Sequence, residues 1–221
     1  MRDAIDRALE GARRGPLAFG EVLIQKADNG EFVLRHRDDE MRSETQLWRN
    51  PEEAANIAKY DDAGNYRPLK TAPNLRRGWS LRVPTLDDVR RALEHFYPGR
   101  LALFAVWDSG RLPTTPLRET LARQSGMYRI AAHISDEQLD RVIGNFCRSD
   151  GGCLRVILWE RDGQSTIAST RLPPEKFDPS MDQKLVTSPA TSPTAFIPLL
   201  CQEGCNLLVA ECRKTVKSDP E

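Results

Sequence analysis

The sequence predicts an α+β protein: a small β-hairpin and helix domain followed by a mainly helical domain built around cysteines. Three observations predict it. Asn29-Gly30 separates two extended runs, a strong hairpin signal. Thr85 precedes a stretch whose apolar residues recur at helical spacing. All five cysteines fall within the last 75 of the 221 residues.

Residues 1–14 have the spacing of a short amphipathic helix, ended by Gly15-Pro16. Two β-like runs follow, Phe19 to Lys26 and Glu31 to Arg37. Asn50-Pro51-Glu52-Glu53 combines a cap, a first-turn proline and two acids, so a helix is expected from Pro51 to about Tyr60. Residues 61–78 carry turn formers and basic side chains and read as an ordered loop. Thr85 then caps a helix with Leu86, Val89, Leu93 and Phe96 on its apolar stripe. Tyr97-Pro98-Gly99 breaks it and marks the boundary between a domain at 19–97 and one at 98–214, with 1–18 an N-terminal helix and 215–221 a tail.

In the second domain the apolar run Leu101 to Trp107 fits a helix or a buried strand, and helix is the expectation. Thr115-Pro116 starts another helix, which Gly126 ends. Ser135 and Gln138 form an S-x-x-Q capping box, opening a helix with Leu139, Val142, Ile143 and Phe146 on one face. Cys147, four residues past Ile143, places its thiol on that face. Ser149 to Gly152 is a turn, and Cys153 leads into a β-like run to Glu160. Residues 171–195, with five prolines among Ser and Thr, read as an irregular lid or loop. A last helix is expected over Gln202 to Lys214.

Composition narrows the function. Lys+Arg and Asp+Glu both total 32, so there is no basic surplus to drive nucleic-acid binding by counterion release. No apolar run reaches the roughly 18 residues of a membrane span. The N-terminus lacks the apolar segment of a secretory signal. The expectation is a cytoplasmic protein that engages neither nucleic acid nor membrane. In that reducing setting, and with an odd cysteine count, a disulfide framework is not the expectation.

The cysteine spacing is C-x5-C (Cys147, Cys153), 47 intervening residues, then C-x3-C (Cys201, Cys205). Two short-range pairs joined by a long excursion fit a four-thiolate metal site. The competing interpretation is buried, inert thiols. On a helix, Cys201 and Cys205 would share one face a turn apart. Cys212 lies about 10 Å further along such a helix, which makes it a core thiol rather than a fifth ligand. Helix amides beginning near Cys201 and the backbone at Gly151, Gly152 and Gly204 would favour an anionic centre. Spacing alone leaves zinc and an iron–sulfur cluster both open.

No nucleotide-binding loop, zinc-protease or hydrolase motif occurs, and no acidic pair is spaced for acid–base work. His36, His95 and His133 are scattered. Trp48, Trp79, Trp107 and Trp159 are assigned to core. Arg67, Lys70, Arg76 and Arg77 make one basic group, and Arg118, Arg123 and Arg129 another. These are solvated or salt-bridged surface, or else an anion site; Arg67, Lys70, Arg118 and Arg123 are its candidates, since arginine pairs bidentately with carboxylates.

RLPTTPLRETLARQSGMYR (Arg111 to Arg129), HISDEQLD (His133 to Asp140), Cys147, Cys153 with Leu158-Trp159, and Cys201-x3-Cys205 give the chain a resemblance. This part resembles the iron–sulfur-binding C-terminal extension of some small-type sirohydrochlorin (cobalt) chelatases. YDDAGNYRPLKTAPNLRRGW (Tyr60 to Trp79) resembles the smaller stabilising domain beside that extension. The resemblance covers about residues 19–213. It implies a [4Fe–4S] cluster held by Cys147, Cys153, Cys201 and Cys205. The metal-inserting histidines of the chelatase domain have no counterpart, so the chelatase reaction is not implied.

The function expected from sequence is a [4Fe–4S] accessory protein in electron transfer, redox sensing or structural support linked to cobalamin or sirohaem metallation. It would work beside a separate chelatase-like or redox partner. The alternative is an interaction module with a purely structural zinc or cluster site. A third reading, an enzyme acting on a tetrapyrrole through its arginine loops, rests on the basic groups alone.

Overall fold

The structure, a computed structural model, describes residues 2–10, 15–67, 74–148, 156–159 and 195–218. The expectations for residues 11–14, the turn at 149–152, Cys153, Lys70 and the proline-rich segment lie outside them. The chain begins with α1 (Arg2–Glu10), β1 (Leu17–Phe19), β2 (Val22–Lys26), β3 (Phe32–His36), β4 (Gln46–Trp48), α2 (Ala54–Lys59), β5 (Trp79–Val83), α3 (Leu86–Phe96) and α4 (Arg100–Asp108). It continues with α5 (Leu117–Ala122), α6 (Asp136–Ile143), β6 (Val156–Ile157), β7 (Ala195–Ile197), β8 (Leu200–Cys201) and α7 (Asn206–Ser218). The architecture is α+β, as the sequence predicts. No helix among the described residues is long and apolar enough to cross a membrane.

The contacts divide the chain into two compact units, residues 2–111 with 195–199 and residues 112–159 with 200–218. The first unit carries a six-stranded mixed sheet in the order β4-β5-β3-β2-β1-β7. β2 and β3 form the hairpin signalled by Asn29-Gly30, in register from Val22↔His36 to Lys26↔Phe32. Gly30 takes φ +88°, and its amide donates to the Ala27 carbonyl at 2.9 Å, closing the turn.

The run expected as one strand from Phe19 to Lys26 is instead two. β1 folds back on β2 through Gly20-Glu21, with Phe19 paired to Val22. Gly20 permits this with φ +60°. An added Cβ there would lie 2.5 Å from Tyr97 Cζ and 2.9 Å from Leu199 Cδ1. Gly20→Ala is therefore expected to cost about 2–3 kcal/mol through overpacking and left-handed backbone strain. A urea midpoint unchanged from wild type would show that the ring yields instead.

β4, β5 and β7 exceed the expected hairpin. β5 does alternate, burying Trp79, Leu81 and Val83. β4 joins β5 in parallel and β7 joins β1 in parallel, pairings between segments far apart in sequence. α2 follows a 3₁₀ turn, Pro51–Glu53, whose cap is Asn50. Thr85 caps α3 as expected, Asp88 completes a capping box with it, and the helix buries Val89, Ala92, Leu93 and Phe96. Phe96 stacks on Trp79 with ring centroids 4.9 Å apart. The ambiguous run near Leu101 is helical: Gly99, at φ +71°, leads into α4.

A buried polar cluster ties the loop after α2 to this sheet. Glu21, His36, Arg67 and Tyr97 are all buried. The Glu21 amide donates to the Tyr97 hydroxyl at 2.7 Å. The Glu21 carboxylate accepts from the amides of Asn74 (3.0 Å) and Leu75 (2.8 Å) and faces Arg67 at 3.8 Å and His36 Nε2 at 3.7 Å. Burial pushes this carboxyl up, but His36 and the two amides together outweigh it and hold it below the ordinary carboxylate range. For Tyr97, burial is the larger influence and raises the phenol.

In the second unit α6 carries the expected capping box from Ser135 and Gln138. The helix expected from Thr115 to Gly126 is shorter. α5 ends at Ala122, and Gly126, at φ +56°, opens a 3₁₀ stretch to His133. The last helix begins four residues later than expected, because Leu200 and Cys201 pair in parallel with Val156 and Ile157.

Candidate metal centre

Four cysteines lie among the described residues, and none is in a disulfide. Cys147 sits on a π turn, Gly144–Arg148, that follows α6 directly. Such a turn widens the helix and rotates the thiol from the position a continuous α-helix would give. Cys147 is buried. Cys201 is buried on β8, where it is the register partner of Ile157. Cys205 is half-buried just before α7, and its carbonyl accepts the Val209 amide at 3.0 Å, the first helical bond. Cys201 and Cys205 therefore do not share a helix face as the spacing alone suggested. One is on a strand and the other at the start of a helix.

The intervening backbone is held from several sides. The Thr115 amide donates to the Gln202 carbonyl at 3.1 Å, and Arg123 pairs with Glu203 at 3.1 Å. The Cys201 thiol donates to the Glu203 carbonyl at 3.0 Å. Gly204 lets this backbone press onto α5, since an added Cβ would fall 2.6 Å from Leu117 Cδ1.

One apolar core gathers these side chains. It contains Cys147, Cys201 and Cys212 with Leu117, Leu121, Leu139, Ile143 and Trp159, and Cys205 packs against it. Among the described residues no three His, Cys, Asp or Glu side chains converge as a group able to hold an ion. Cys153 is outside the described residues. Cys212 is fully enclosed, and burial pushes its thiol up to about 12, with the Arg118 charge opposing. It stays protonated at neutral pH, as suits a core thiol.

Two further observations bear on what this core would accept. The indole Nε1 of Trp159 is buried and has no hydrogen-bond partner among the described residues. An unmade buried donor costs about 1–3 kcal/mol. α7 begins at Asn206, one residue after Cys205, and a helix N-terminus favours negative charge. Soft thiols, a dry surround, an orphaned donor and helix amides fit an anionic iron–sulfur cluster.

The arginines proposed from sequence for an anion site have protein partners. Arg67 faces Glu21, Arg118 pairs with Asp136 and donates to the Ile134 carbonyl at 2.8 Å, and Arg123 pairs with Glu203. Arg67 belongs to the first unit and the other two to the second. Trp159 is the functional candidate that sequence reasoning assigned to core. Its indole is as buried as that assignment implies, and only its missing acceptor sets it apart.

Residues 1–105 match the family model of the DR2241 stabilising domain, and residues 109–214 match that of a 4Fe-4S iron-sulfur cluster binding domain. The second match contains all five cysteines. Among solved structures the chain is similar to the crystal structure of DR2241 from Deinococcus radiodurans, with 29% identity and a TM-score of 0.73. The similarity covers 99% of this chain and 42% of that one. That protein is described as multi-domain, similar in structure to chelatases, with two additional novel domains. No curated protein matches the chain.

Proposed function

The chain belongs to the proteins that join a DR2241 stabilising domain to a 4Fe-4S iron-sulfur cluster binding domain, its cofactor is a [4Fe–4S] cluster, and from that premise we propose a cluster-bearing accessory role in tetrapyrrole metallation. The ligands in this proposal are Cys147, Cys153, Cys201 and Cys205. The observation that carries it is the shared apolar core of Cys147 and Cys201, with Cys205 packed against it, inside the segment matched by the cluster-binding model. Bound there, the cluster supplies one-electron chemistry.

The tetrapyrrole link rests on the structural similarity of the multi-domain DR2241 protein to chelatases, and this chain spans 42% of that protein's length. A chelatase-like or redox protein of the reducing cytoplasm is the partner that fits. The arginines enter the proposal as internal braces rather than as a substrate site.

Anaerobic purification tests it. The protein should be brown, with broad visible absorption and about four irons and four sulfides per chain. Colourless protein carrying one zinc per chain would overturn it. A second reading, an interaction module whose cluster is purely structural, is favoured by the internal pairing of Arg67, Arg118 and Arg123. It predicts recovery of a chelatase-like partner and no reversible redox step in voltammetry. A reversible wave with no partner recovered would defeat it.

A further inference from the structure

We infer that Trp159 is a positioning residue of the metal centre, donating its indole N–H to a sulfur of the cluster; this rests on the cluster reading above. Ile157 and Cys201 are register partners across β6 and β8, so their side chains lie on one face of the pair. The Leu158 amide donates to the Cys201 carbonyl at 2.8 Å, which fixes the backbone one residue further on. Trp159 lies two residues past Ile157, just beyond the end of β6, and is fully buried in the core that holds Cys147 and Cys201.

The indole Nε1 has no acceptor among the described residues. Trp48 and Trp107 share that feature, but both are partly exposed residues of the first unit. In the second unit Arg213 Nε is likewise without a partner, on a half-buried side chain whose guanidinium lies over the Tyr128 ring. Trp159 alone of these is wholly enclosed, and it belongs to the apolar core that also contains Cys147, Cys201 and Cys212. Buried polar groups are almost always satisfied, so a native orphan points to an absent acceptor. Thiolate and inorganic sulfide are the acceptors that a bound cluster brings to this core.

The consequence is electrochemical. Reduction adds negative charge to the cluster, and an N–H donor at sulfur stabilises the reduced form more than the oxidised one. Trp159→Phe removes the donor while keeping an aromatic ring in the core. It should hold iron and sulfide at the wild-type ratio but show a lower midpoint potential in protein-film voltammetry. Val142→Ala, a cavity in the same core with no polar atom lost, should leave the potential in place.

Equal potentials in Trp159→Phe and wild type would overturn the inference, as would an equal shift in Val142→Ala. Where Trp159→Phe fails to hold the cluster, wild-type protein labelled with ¹⁵N-indole tryptophan decides. Pulsed EPR of the reduced cluster should detect an indole nitrogen coupling, and its absence would overturn the assignment. Wild-type protein without iron defeats the cluster reading itself and is seen before any variant is made.

Discussion

Cys201→Ser is expected to lose most of the visible absorption and bound iron of the anaerobic protein, whereas Cys212→Ser keeps both. Serine replaces a soft thiolate by a hard, weakly acidic hydroxyl, a poor ligand for iron–sulfur centres. The same loss is expected for Cys147→Ser, Cys153→Ser and Cys205→Ser. Cys205 lies just before α7 and is half-buried, so its variant should fold best and give the clearest reading of cluster loss. Cys212 lies within α7, seven residues past Cys205 in sequence, and is fully enclosed. A serine hydroxyl there would cost about 1–3 kcal/mol of stability without reaching the cluster. Iron content and absorption across the series measure ligation, while urea midpoints of the iron-free proteins measure folding. Retention of the cluster in Cys201→Ser together with its loss in Cys212→Ser would reverse the ligand assignment.

Glu21→Ala should destabilise the first unit by about 3–5 kcal/mol, because it strands a buried charge. Arg67 and His36 would lose their carboxylate, and the Asn74 and Leu75 amides their acceptor. The effect reaches beyond one contact. Glu21 is where the β1–β2 turn, the loop after α2 and Tyr97 are joined. The carboxyl is held below the ordinary carboxylate range, so its contribution is full above that range. It is lost as the pH falls through the lower native value. The gap between wild type and Glu21→Ala in urea unfolding should therefore be widest near neutral pH and close in acid. Equal midpoints at neutral pH would remove this cluster from the account of stability.

The local signals that survived into the fold are those whose physics is complete within a few residues. Thr85 with Asp88 and Ser135 with Gln138 satisfy helix-end amides with their own side chains, and both capping boxes are present. Asn29-Gly30 closes its turn with short-range bonds. The parallel partners β4 and β7 were not legible. A parallel neighbour is recruited from distant sequence and leaves no turn signal between the strands. The split of Phe19–Lys26 has no local signature, because a glycine inside an extended run looks alike in a bend and in a strand, and Tyr97, 77 residues away, fills the space beneath it.

By itself the sequence outlined the chemistry of the second unit: five cysteines confined to the last 75 residues, four of them in two short pairs, with no catalytic constellation around them. Thiol identity and spacing are properties of the chain; they admit a four-thiolate centre, and the family-like segments around them are what point to an iron–sulfur cluster. Only the tertiary structure decided how the cysteines are presented. The β6–β8 pairing put Cys201 on a strand, the π turn rotated Cys147, and α7 began only after Cys205. It alone also distinguished Trp159, a fully buried indole with no acceptor, from Trp79, whose indole donates to the Arg76 carbonyl, and from the partly exposed Trp48 and Trp107, because whether a buried N–H finds a partner depends on everything packed around it.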